Sequence, residues 1–441
     1  MYRVLDFMLH LALTRVRRLN VWLSLQYQWG FIIDPIAFYA SLYDPDYSKR
    51  PHPSLINAIL LSATCHPTIL PITKIKSESL LARALVAIQL GISQADRLLD
   101  VIHASCLLST YFYTQNRVQE GYYHSTAAAR LMTTVQSYLP DYSTSWRPYG
   151  NRISTLAHVF SVDRSWSVVT GLPPALRDED CLAPSVMECL TGFPTGLSVS
   201  SSAGPRHPST YLLVTHRPQD VYSCEDPLPL DRTFDAIALR LCVHALHETS
   251  FRLVPTGMSS TFAGPESSLI PTSPIDQSAR NQEDIAALKS SVELFHQRFP
   301  SFVRSKLGLE PLRLVDAHMA AIHTFVNAST INLERNAMTR GGEPFKRCLM
   351  AVSSMVAVIE QLREEDYPSL DPLMSVSAPC RFARAPLLIG SQSCWVTAAN
   401  VCLYVVSSSR PPENTEFVQM YADILIGAVL QLARFYPLAG E

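Results

Sequence analysis

The side chains best suited to chemistry are thiols, imidazoles and carboxylates, and their spacing matches no common catalytic or metal-binding motif. Ten cysteines are scattered along the 441 residues, and no two of them form a CxxC pair. His244 and His247 are three residues apart, as two ligands on one helix face would be, and His318 and His323 are five apart. No third ligand of a suitable type accompanies either pair, which a metal site would require. We therefore predict no metal site and satisfied or exposed histidines.

Carboxylates cluster twice, at Asp178-Glu179-Asp180 and at Glu364-Glu365-Asp366. Paired carboxylates can serve as general acid and base. The first cluster follows a Pro-Pro turn, which favours a solvated or helix-capping role, and the second is typical of a solvated helix end. GxGxxG after a strand, the P-loop, GxSxG and HExxH are also missing from the sequence. We expect a protein that is not an enzyme.

The composition indicates a large buried core. Hydrophobic residues make up 47% of the chain and charged residues only 17%, against a charged share of about 25% in typical domains. The formal net charge of −2 gives the whole chain no electrostatic footprint for nucleic acid. One basic cluster, Arg15 with Arg17 and Arg18, is consistent with a solvated helix face or with the remainder of a basic linker.

Compartment and membrane contact are also constrained by the sequence. Unpaired cysteines without a secretory signal favour a reducing compartment. The apolar run Trp395–Val406 is shorter than the roughly 20 residues that a bilayer needs. We therefore expect no membrane segment.

Apolar residues recur at the helical period along most of the chain, and strand-like alternation is scarce. Asp34 and Pro35 suit a helix N-cap and first position, Ser77 and Gly91 a helix start and stop, and Ser93 with Asp96 a capping box. We predict an all-α fold, a large domain of packed antiparallel helices with two long Pro/Ser/Gly-rich loops. The predicted helices cover about 35–43, 53–65, 77–91, 93–112, 116–138, 152–164, 231–249, 284–299, 312–335, 345–363, 387–406 and 417–435.

The organisation follows from where these helices stop. Residues 1–30 are predicted as an N-terminal helical extension, and 31–190 as an N-terminal helical block. An irregular insertion follows at 191–230, and 231–441 form a C-terminal block with a disordered insertion near 255–280. We expect the two blocks to pack as one helical unit.

One ordered motif stands out between the first helical block and the insertion. A helix leads into Asp163-Arg164, a Gly171-Leu172-Pro173 break follows, and acidic residues come next. This order resembles the signature of the fungal-specific transcription factor domain, the helical middle homology region of zinc-cluster transcription factors, and is most similar to basidiomycete members. The residues that carry the resemblance are Gly121, Tyr122, Arg152, Asp163, Arg164, Ser167, Gly171, Pro173, Asp178 and Glu179.

The sequence departs from the family pattern in three places. The family's tryptophan pair falls at Leu156-Ala157, and the arginine of its Gly-Arg-Pro is Leu172. The upstream zinc cluster, with six thiolates within about 30 residues, has no counterpart in this chain. Zinc is therefore expected only in an upstream module that these residues do not include, and this chain has no cofactor of its own.

The resemblance implies a noncatalytic regulatory domain in the nucleus that modulates transcription. Its implied partners are a DNA-binding partner or the transcription machinery, and a homodimer is one allowed assembly. An alternative is a helical sensor that binds an apolar small-molecule effector between the two blocks. For the signature itself we predict a buried or half-buried Asp163-Arg164 ion pair at a helix end, fixing the loop into Gly171-Leu172-Pro173; a ligand-contacting role is the alternative.

Overall fold

The protein is all-α in the part of the chain that a computed structural model describes. The described residues are 2–31, 33–66, 74–138, 152–176, 230–253, 274–298, 314–338, 342–374, 393–407 and 415–436. Within these ranges 86% of the residues are helical and none is in a strand. The predicted fold class is thus confirmed.

Thirteen α-helices are described, joined in places by short 3-10 turns. The first seven are α1 Tyr2–Leu25, α2 Pro35–Leu42, α3 Pro53–Ser62, α4 Lys74–Ser93, α5 Leu98–Thr114, α6 Val118–Tyr138 and α7 Arg152–Thr170. The other six are α8 Leu230–Leu253, α9 Pro274–Arg298, α10 Leu314–Glu334, α11 Glu343–Ile359, α12 Cys394–Ser407 and α13 Thr415–Ala433.

Local start and stop signals were correct in some places and wrong in others. Asp34 caps α2 as predicted, because its side chain accepts the backbone N–H of Ile36 at 3.0 Å. Ser77 and Gly91 both lie inside α4, so the predicted start and stop there are wrong. At Gly91 an added Cβ would lie 2.6 Å from Val101 Cγ2. This glycine therefore serves the close approach of two helices.

The predicted capping box at Ser93 and Asp96 is also wrong. Ser93 is the last residue of α4, and α5 begins only at Leu98. Arg97 precedes α5 with a left-handed φ of 43°. Asp96 instead binds the Arg97 guanidinium, with 2.7 Å between Arg97 Nη2 and Asp96 Oδ2. The carboxylate thus orders the connection between the helices instead of capping α5.

The helix that carries the signature is longer and more buried than predicted. Asp163 and Arg164 do not end an amphipathic helix, since α7 continues to Thr170. All side chains from Thr155 to Val169 are buried. In α8 the side chains of residues 239–250 are likewise all buried, not only one stripe. A helix buried on all sides is surrounded by other elements, and α7 and α8 pack directly on each other.

The apolar core consists of two clusters that meet at α5. The N-terminal cluster joins buried side chains of α1 to α5, such as Trp22, Phe38 and Leu107. The C-terminal cluster joins α5, α6 and α7 to the helices α8 to α13, with Trp166 and Trp395 among its largest side chains. The helices α6 and α7 thus share a core with helices that follow the 191–230 segment.

The remaining sequence expectations have mixed outcomes. Residues 191–229 and 255–273 lie outside the described residues, as do Asp178 and Glu179. The predicted 255–280 insertion is wrong at its end, because α9 begins at Pro274. Glu364 and Glu365 are exposed as expected, whereas Asp366 is buried and accepts the Arg363 backbone N–H at 2.8 Å. Asp366 therefore caps a 3-10 turn.

One described helix segment, Glu416–Ala433, is long and apolar enough to cross a membrane by length and composition alone. Its mean hydropathy is 1.3, and 28% of it is buried. Its buried positions contribute Val418, Leu425 and Leu432 to the C-terminal cluster. Core helices of soluble proteins pass the same test, so this segment is weak support for a membrane span.

Candidate functional site

The signature residues meet where the chain leaves α7 and folds back onto it. The helix ends at Thr170, and Gly171 takes a φ of +69°, a left-handed conformation that favours glycine. The following turn brings two backbone N–H groups to Asp163: Ala175 N donates to Oδ1 at 2.7 Å and Leu176 N to Oδ2 at 3.0 Å. Both carboxylate oxygens of Asp163 are thus used to hold the turn.

Arg164 holds the same turn to a different helix. Its guanidinium donates to the Leu176 carbonyl at 2.9 Å and to Glu248 Oε2 on α8 at 3.1 Å. Arg164 and Glu248 have side-chain exposures of 3% each, so this ion pair is buried. Arg252, 42% exposed, donates to the other oxygen of Glu248 at 2.9 Å. The predicted fixing of the loop is present: Asp163 accepts two backbone N–H groups of the turn, and Arg164 binds the Leu176 carbonyl and Glu248.

We call this unit the α7 latch: Asp163, Arg164, Glu248 and the turn 171–176. Burial raises the pKa of Asp163 to about 6, and the two backbone hydrogen bonds together with Arg164 counter part of that rise. A carboxylate with both oxygens occupied by amides is a structural acceptor. The geometry therefore suits positioning and not proton transfer to a bound molecule.

Other signature residues surround the latch. The Tyr122 hydroxyl donates to the Pro173 carbonyl at 3.3 Å, and the Ser167 hydroxyl donates to the Arg164 carbonyl at 2.8 Å. Gly121 lets α6 approach α5, because a Cβ there would lie 2.6 Å from the Tyr113 ring. Arg152 is the first residue of α7, and nothing more of it is described. Asp178 and Glu179 lie outside the described residues.

The junction of the two clusters holds buried histidines that the sequence did not single out. His103 and His158 lie with their Nδ1 atoms 2.9 Å apart, and the Thr155 hydroxyl is 2.9 Å from His103 Nε2. Phe31 stacks on both rings, at 3.8 Å from His103 and 5.2 Å from His158 between centroids. Burial lowers the pKa of His158 to about 3. These imidazoles therefore pack as neutral aromatic rings.

A serine–histidine pair lies beside them. Ser161 Oγ is 3.0 Å from His244 Nδ1, a distance at which a histidine could act as base toward a hydroxyl. Both residues are buried, and the cavity that Ser161 lines measures about 10 Å³. That volume holds about one water molecule. This cavity is too small for an organic substrate, which favours a packing role for the pair.

A buried ion pair links the N-terminal segment to the C-terminal cluster. Arg240 on α8 donates to Asp371 Oδ2 at 2.5 Å and to the Gln28 carbonyl at 3.3 Å. The Gln28 amide in turn donates to the carbonyls of Pro368 and Leu370 at 2.6 and 2.9 Å. Residues more than 100 positions apart thus form one polar network. No local sequence pattern could identify it.

The histidine pairs considered as metal ligands have aromatic or thiol neighbours. His247 lies 3.9 Å from the Cys394 sulfur and packs on Phe325, and His323 packs on Phe295. Burial lowers the pKa of His247 and of His323 to about 4. Among the described residues no group of three or more histidines, cysteines or carboxylates has a geometry that would hold a metal ion.

The buried cysteines behave as small apolar side chains. Cys106, in α5, is 1% exposed, and Cys402, in α12, is fully buried. Burial raises the pKa of the Cys402 thiol to about 12. Such a thiol stays protonated and is a poor nucleophile.

A groove lies between α9, α10 and α11 in the described part of the chain. Its volume is about 270 Å³, and its lining is mostly apolar. Each helix contributes two turns, about 10 Å of length. The lining residues run from Lys289 to His296, from Asn327 to Glu334 and from Arg347 to Ser354.

Charge is balanced at one end of this groove. Glu334 is buried, and its oxygens bind Lys289 Nζ and Arg347 Nη1, each at 3.0 Å. Glu293, 63% exposed, lies 3.9 Å from Arg347. Two cations and two carboxylates give this end no net charge, so the groove suits a neutral apolar molecule better than an ion.

The predicted position of an effector, between the two helical blocks, has little room in the described structure. Two spaces at the junction of the clusters measure about 10 Å³ each. The larger groove lies wholly within the C-terminal cluster. Comparison with models of protein families, with curated proteins and with solved structures gives no match to this chain.

Proposed function

We propose that this chain is the regulatory domain of a fungal transcription factor, acting in the nucleus without catalysis. It modulates transcription together with a DNA-binding partner or the transcription machinery. DNA recognition belongs to that partner or to a zinc-cluster module that these 441 residues do not contain. The proposal rests on the resemblance of the signature residues, and the α7 latch supports it.

The α7 latch is the structural observation that supports the proposal. In a regulatory domain such a signature has to stabilise the fold. The signature residues described here meet at one turn: Asp163, Arg164, Gly171, Pro173 and Tyr122. Their polar atoms bind backbone groups or a second helix. Residues that served a reaction would instead leave a polar atom facing a cavity.

A fusion experiment tests this function. The full chain is joined to a heterologous zinc-cluster DNA-binding module and expressed in a fungal reporter strain that carries its DNA site. We expect reporter output to differ several-fold from that of the module alone, in either direction. Asp163→Ala should abolish the difference, whereas Glu360→Ala, at an exposed residue, should preserve it.

Two results would contradict the proposal. One is a reporter output equal to that of the module alone although the intact fusion is present in the nucleus. The other is nanomolar, competitor-resistant binding of the isolated chain to DNA in a gel shift, since specific recognition of that strength needs a DNA-reading surface. Weak retention that disappears with added salt is expected instead.

The groove between α9, α10 and α11 favours a second candidate function, a helical sensor of an apolar small molecule. Its volume of about 270 Å³ is close to the lower limit of typical ligand sites, about 300 Å³. The apolar wall includes Val292, Leu333 and Ala351. Asn327 and Ser354, at the end away from the charges, can hydrogen-bond one polar group of a neutral ligand.

A dye experiment separates this candidate from a purely structural groove. Met350 is 70% exposed at the groove, and Ile36 is 82% exposed on α2. The neutral apolar dye Nile red should show a saturable fluorescence increase with the full chain. Met350→Trp should remove this component by filling the groove, and Ile36→Trp should not. Equal dye binding in both variants would exclude the groove as the site.

A further inference from the structure

The C-terminal helix α13 carries two different stripes of side chains. The first stripe is buried and packs the helix against α11 and α12. Its members are Val418, Ala422, Leu425, Ala428 and Leu432. The second stripe lies on the opposite face, and all six of its residues are exposed. Its members are Glu416, Met420, Asp423, Gly427 and Leu430 of α13 together with Arg434, which lies in the turn directly after the helix end at Ala433.

The exposed stripe has the spacing of a coiled-coil seam. Its positions alternate steps of four and three residues, the 3.5-residue average at which two helices can pack along their whole length. Met420 and Leu430 are 43% and 61% exposed, and Phe417 and Ile426, beside the seam, are 61% and 41% exposed. No described element of the chain covers these side chains.

The residues along the seam are complementary to those of a second copy of α13 that runs antiparallel to the first. If a two-fold axis crosses the seam midway between Asp423 and Gly427, each seam residue faces the residue of the second copy that lies equally far on the other side of the axis. Met420 then faces Leu430 of the second copy. Glu416, at one end of the seam, then faces Arg434 of the second copy. Opposite charges thus meet at both ends, and apolar residues meet between them.

The middle of the seam also fits this arrangement. Asp423 would face Gly427 of the second copy, where a Cβ would have nothing within 4 Å. This glycine leaves space for the carboxylate, which Gln419 binds at 3.1 Å. A shallow depression on the same face suits the apolar contact, since in a coiled coil a side chain inserts between four residues of the facing helix. The depression is lined by Glu416, Gln419, Met420, Asp423 and Ile424.

We propose that α13 is the contact surface of an antiparallel homodimer, with Leu430 of each copy seated in the depression around Met420 of the other. The charge complementarity of Glu416 and Arg434 selects a second copy over another partner. The neighbouring helix α12 also exposes apolar side chains, with Leu403 and Tyr404 at 41% and 42%. This inference does not depend on the proposed function.

Analytical ultracentrifugation of the full chain tests the proposal. One helix pair buries a small area, so we expect a dimer of twice 49.1 kDa that dissociates in the micromolar range. Leu430→Glu places a charge at the seam and should weaken association by about tenfold or more. Val86→Glu, at a residue of α4 that is 56% exposed, is the matched control and should leave association unchanged.

Charge reversal tests the antiparallel register. Glu416→Arg and Arg434→Glu should each weaken the dimer, and the double variant should restore it, because opposite charges meet again. Arg434 also binds Glu364 of its own chain at 2.6 Å. Glu364→Gln removes that contact alone and should leave the dimer intact. A double variant as weak as the worse single variant would overturn the register.

Two outcomes would overturn the dimer itself. The first is a monomer at all accessible concentrations, which would mean that the seam is covered within one chain or unused. The second is flotation of the chain with phosphatidylcholine vesicles that Leu430→Glu abolishes. That result would assign the apolar face of α13 to a membrane, for which the segment Glu416–Ala433 has sufficient length and hydropathy.

Discussion

Asp163 binds the backbone N–H of Leu176 at 3.0 Å, so a carboxylate in the middle of α7 holds the turn that follows the same helix. The second oxygen of Asp163 binds the N–H of Ala175 at 2.7 Å. Buried backbone donors need partners, and a loop that packs on a helix has few to choose from. This one side chain satisfies two of them. The α7 latch thus stabilises the chain's exit from α7.

Removing the Asp163 carboxylate should destabilise the fold strongly. Asp163→Ala leaves two buried N–H groups without their acceptor, at about 1–3 kcal/mol each. Asp163→Asn keeps one acceptor oxygen and should cost less. Urea unfolding followed by circular dichroism would measure both. Glu360→Ala, at an exposed residue, should change the free energy of unfolding by less than about 0.5 kcal/mol. Equal midpoints for Asp163→Ala and Glu360→Ala would refute the structural role of the latch.

The Arg164–Glu248 pair should show an asymmetric cost of mutation. Glu248→Leu removes the carboxylate that Arg164 donates to and leaves a buried cation, which typically costs about 3–5 kcal/mol. Arg164→Leu should cost about 1 kcal/mol less, because Glu248 keeps its bond to Arg252. Thermal melts of the two single variants and the double variant would give the coupling energy.

An exposed ion pair provides the comparison for this double-mutant cycle of Arg164 and Glu248. Arg117 and Glu120 form an ion pair with side-chain exposures of 42% and 49%. Their coupling energy should stay below about 1 kcal/mol. If the Arg164–Glu248 cycle gave a coupling as small as the surface pair, burial would not be making this contact strong.

Helical periodicity was sufficient to predict the fold class and most helices of the described chain. The helical period of α8 and the Asp34–Pro35 start of α2 depend only on neighbours in sequence, so a local pattern could identify them. Gly91 shows where such reasoning fails. In isolation it looks like a helix stop, but it lies within α4, and an added Cβ there would meet Val101 of α5 and His52. A tertiary contact, and not a local stop signal, explains the glycine at this position.

The candidate sites were less accessible to sequence reasoning. The signature pointed to Asp163 and Arg164, but not to Glu248, which lies 84 residues from Arg164 along the chain. Nothing near Glu248 marks it as a buried partner. The groove between α9, α10 and α11 arises from the spacing of three helices, so no sequence motif predicts it. Only the three-dimensional arrangement brings Lys289 and Arg347 to Glu334.

Two glycines should respond in opposite ways to a single methyl group. In Gly121→Ala the Cβ would lie 2.6 Å from the Tyr113 ring, which stacks on Trp166 at 4.5 Å between centroids. Overpacking of this kind typically costs about 1–3 kcal/mol. Gly427→Ala adds its Cβ to open space on α13 and should stabilise the helix by about 0.5–1 kcal/mol. Thermal melts of the monomeric protein would measure both changes. A loss of stability for Gly427→Ala together with none for Gly121→Ala would contradict the packing described.

Acid should destabilise the protein well above the pH at which most carboxylates titrate. Burial lowers the pKa of His158 to about 3 and of His124, His247 and His323 to about 4, from an ordinary value of 6.5. A group with a lowered folded-state pKa contributes stability that is present above its unfolded pKa and is lost as the pH falls toward the folded value. Each such histidine should contribute a slope of about 1.4 kcal/mol per pH unit in that window. Urea midpoints should therefore fall steadily between about pH 6.5 and about pH 4.

Titration of Asp163 changes the stability in the opposite direction as the pH falls. It therefore provides an internal control for the prediction about the histidines. Its folded-state pKa is raised to about 6 from 3.8, so its contribution is present below its unfolded pKa and is lost as the pH rises through the folded value. Between about pH 6 and about pH 4 its protonation offsets roughly one histidine. Asp163→Asn cannot titrate and should make the acid loss steeper, by about 1.4 kcal/mol per pH unit. An unchanged slope in this variant would show that Asp163 titrates alike in the folded and unfolded chain. A flat profile of the wild type would show that the buried histidines do not stay neutral in the folded protein.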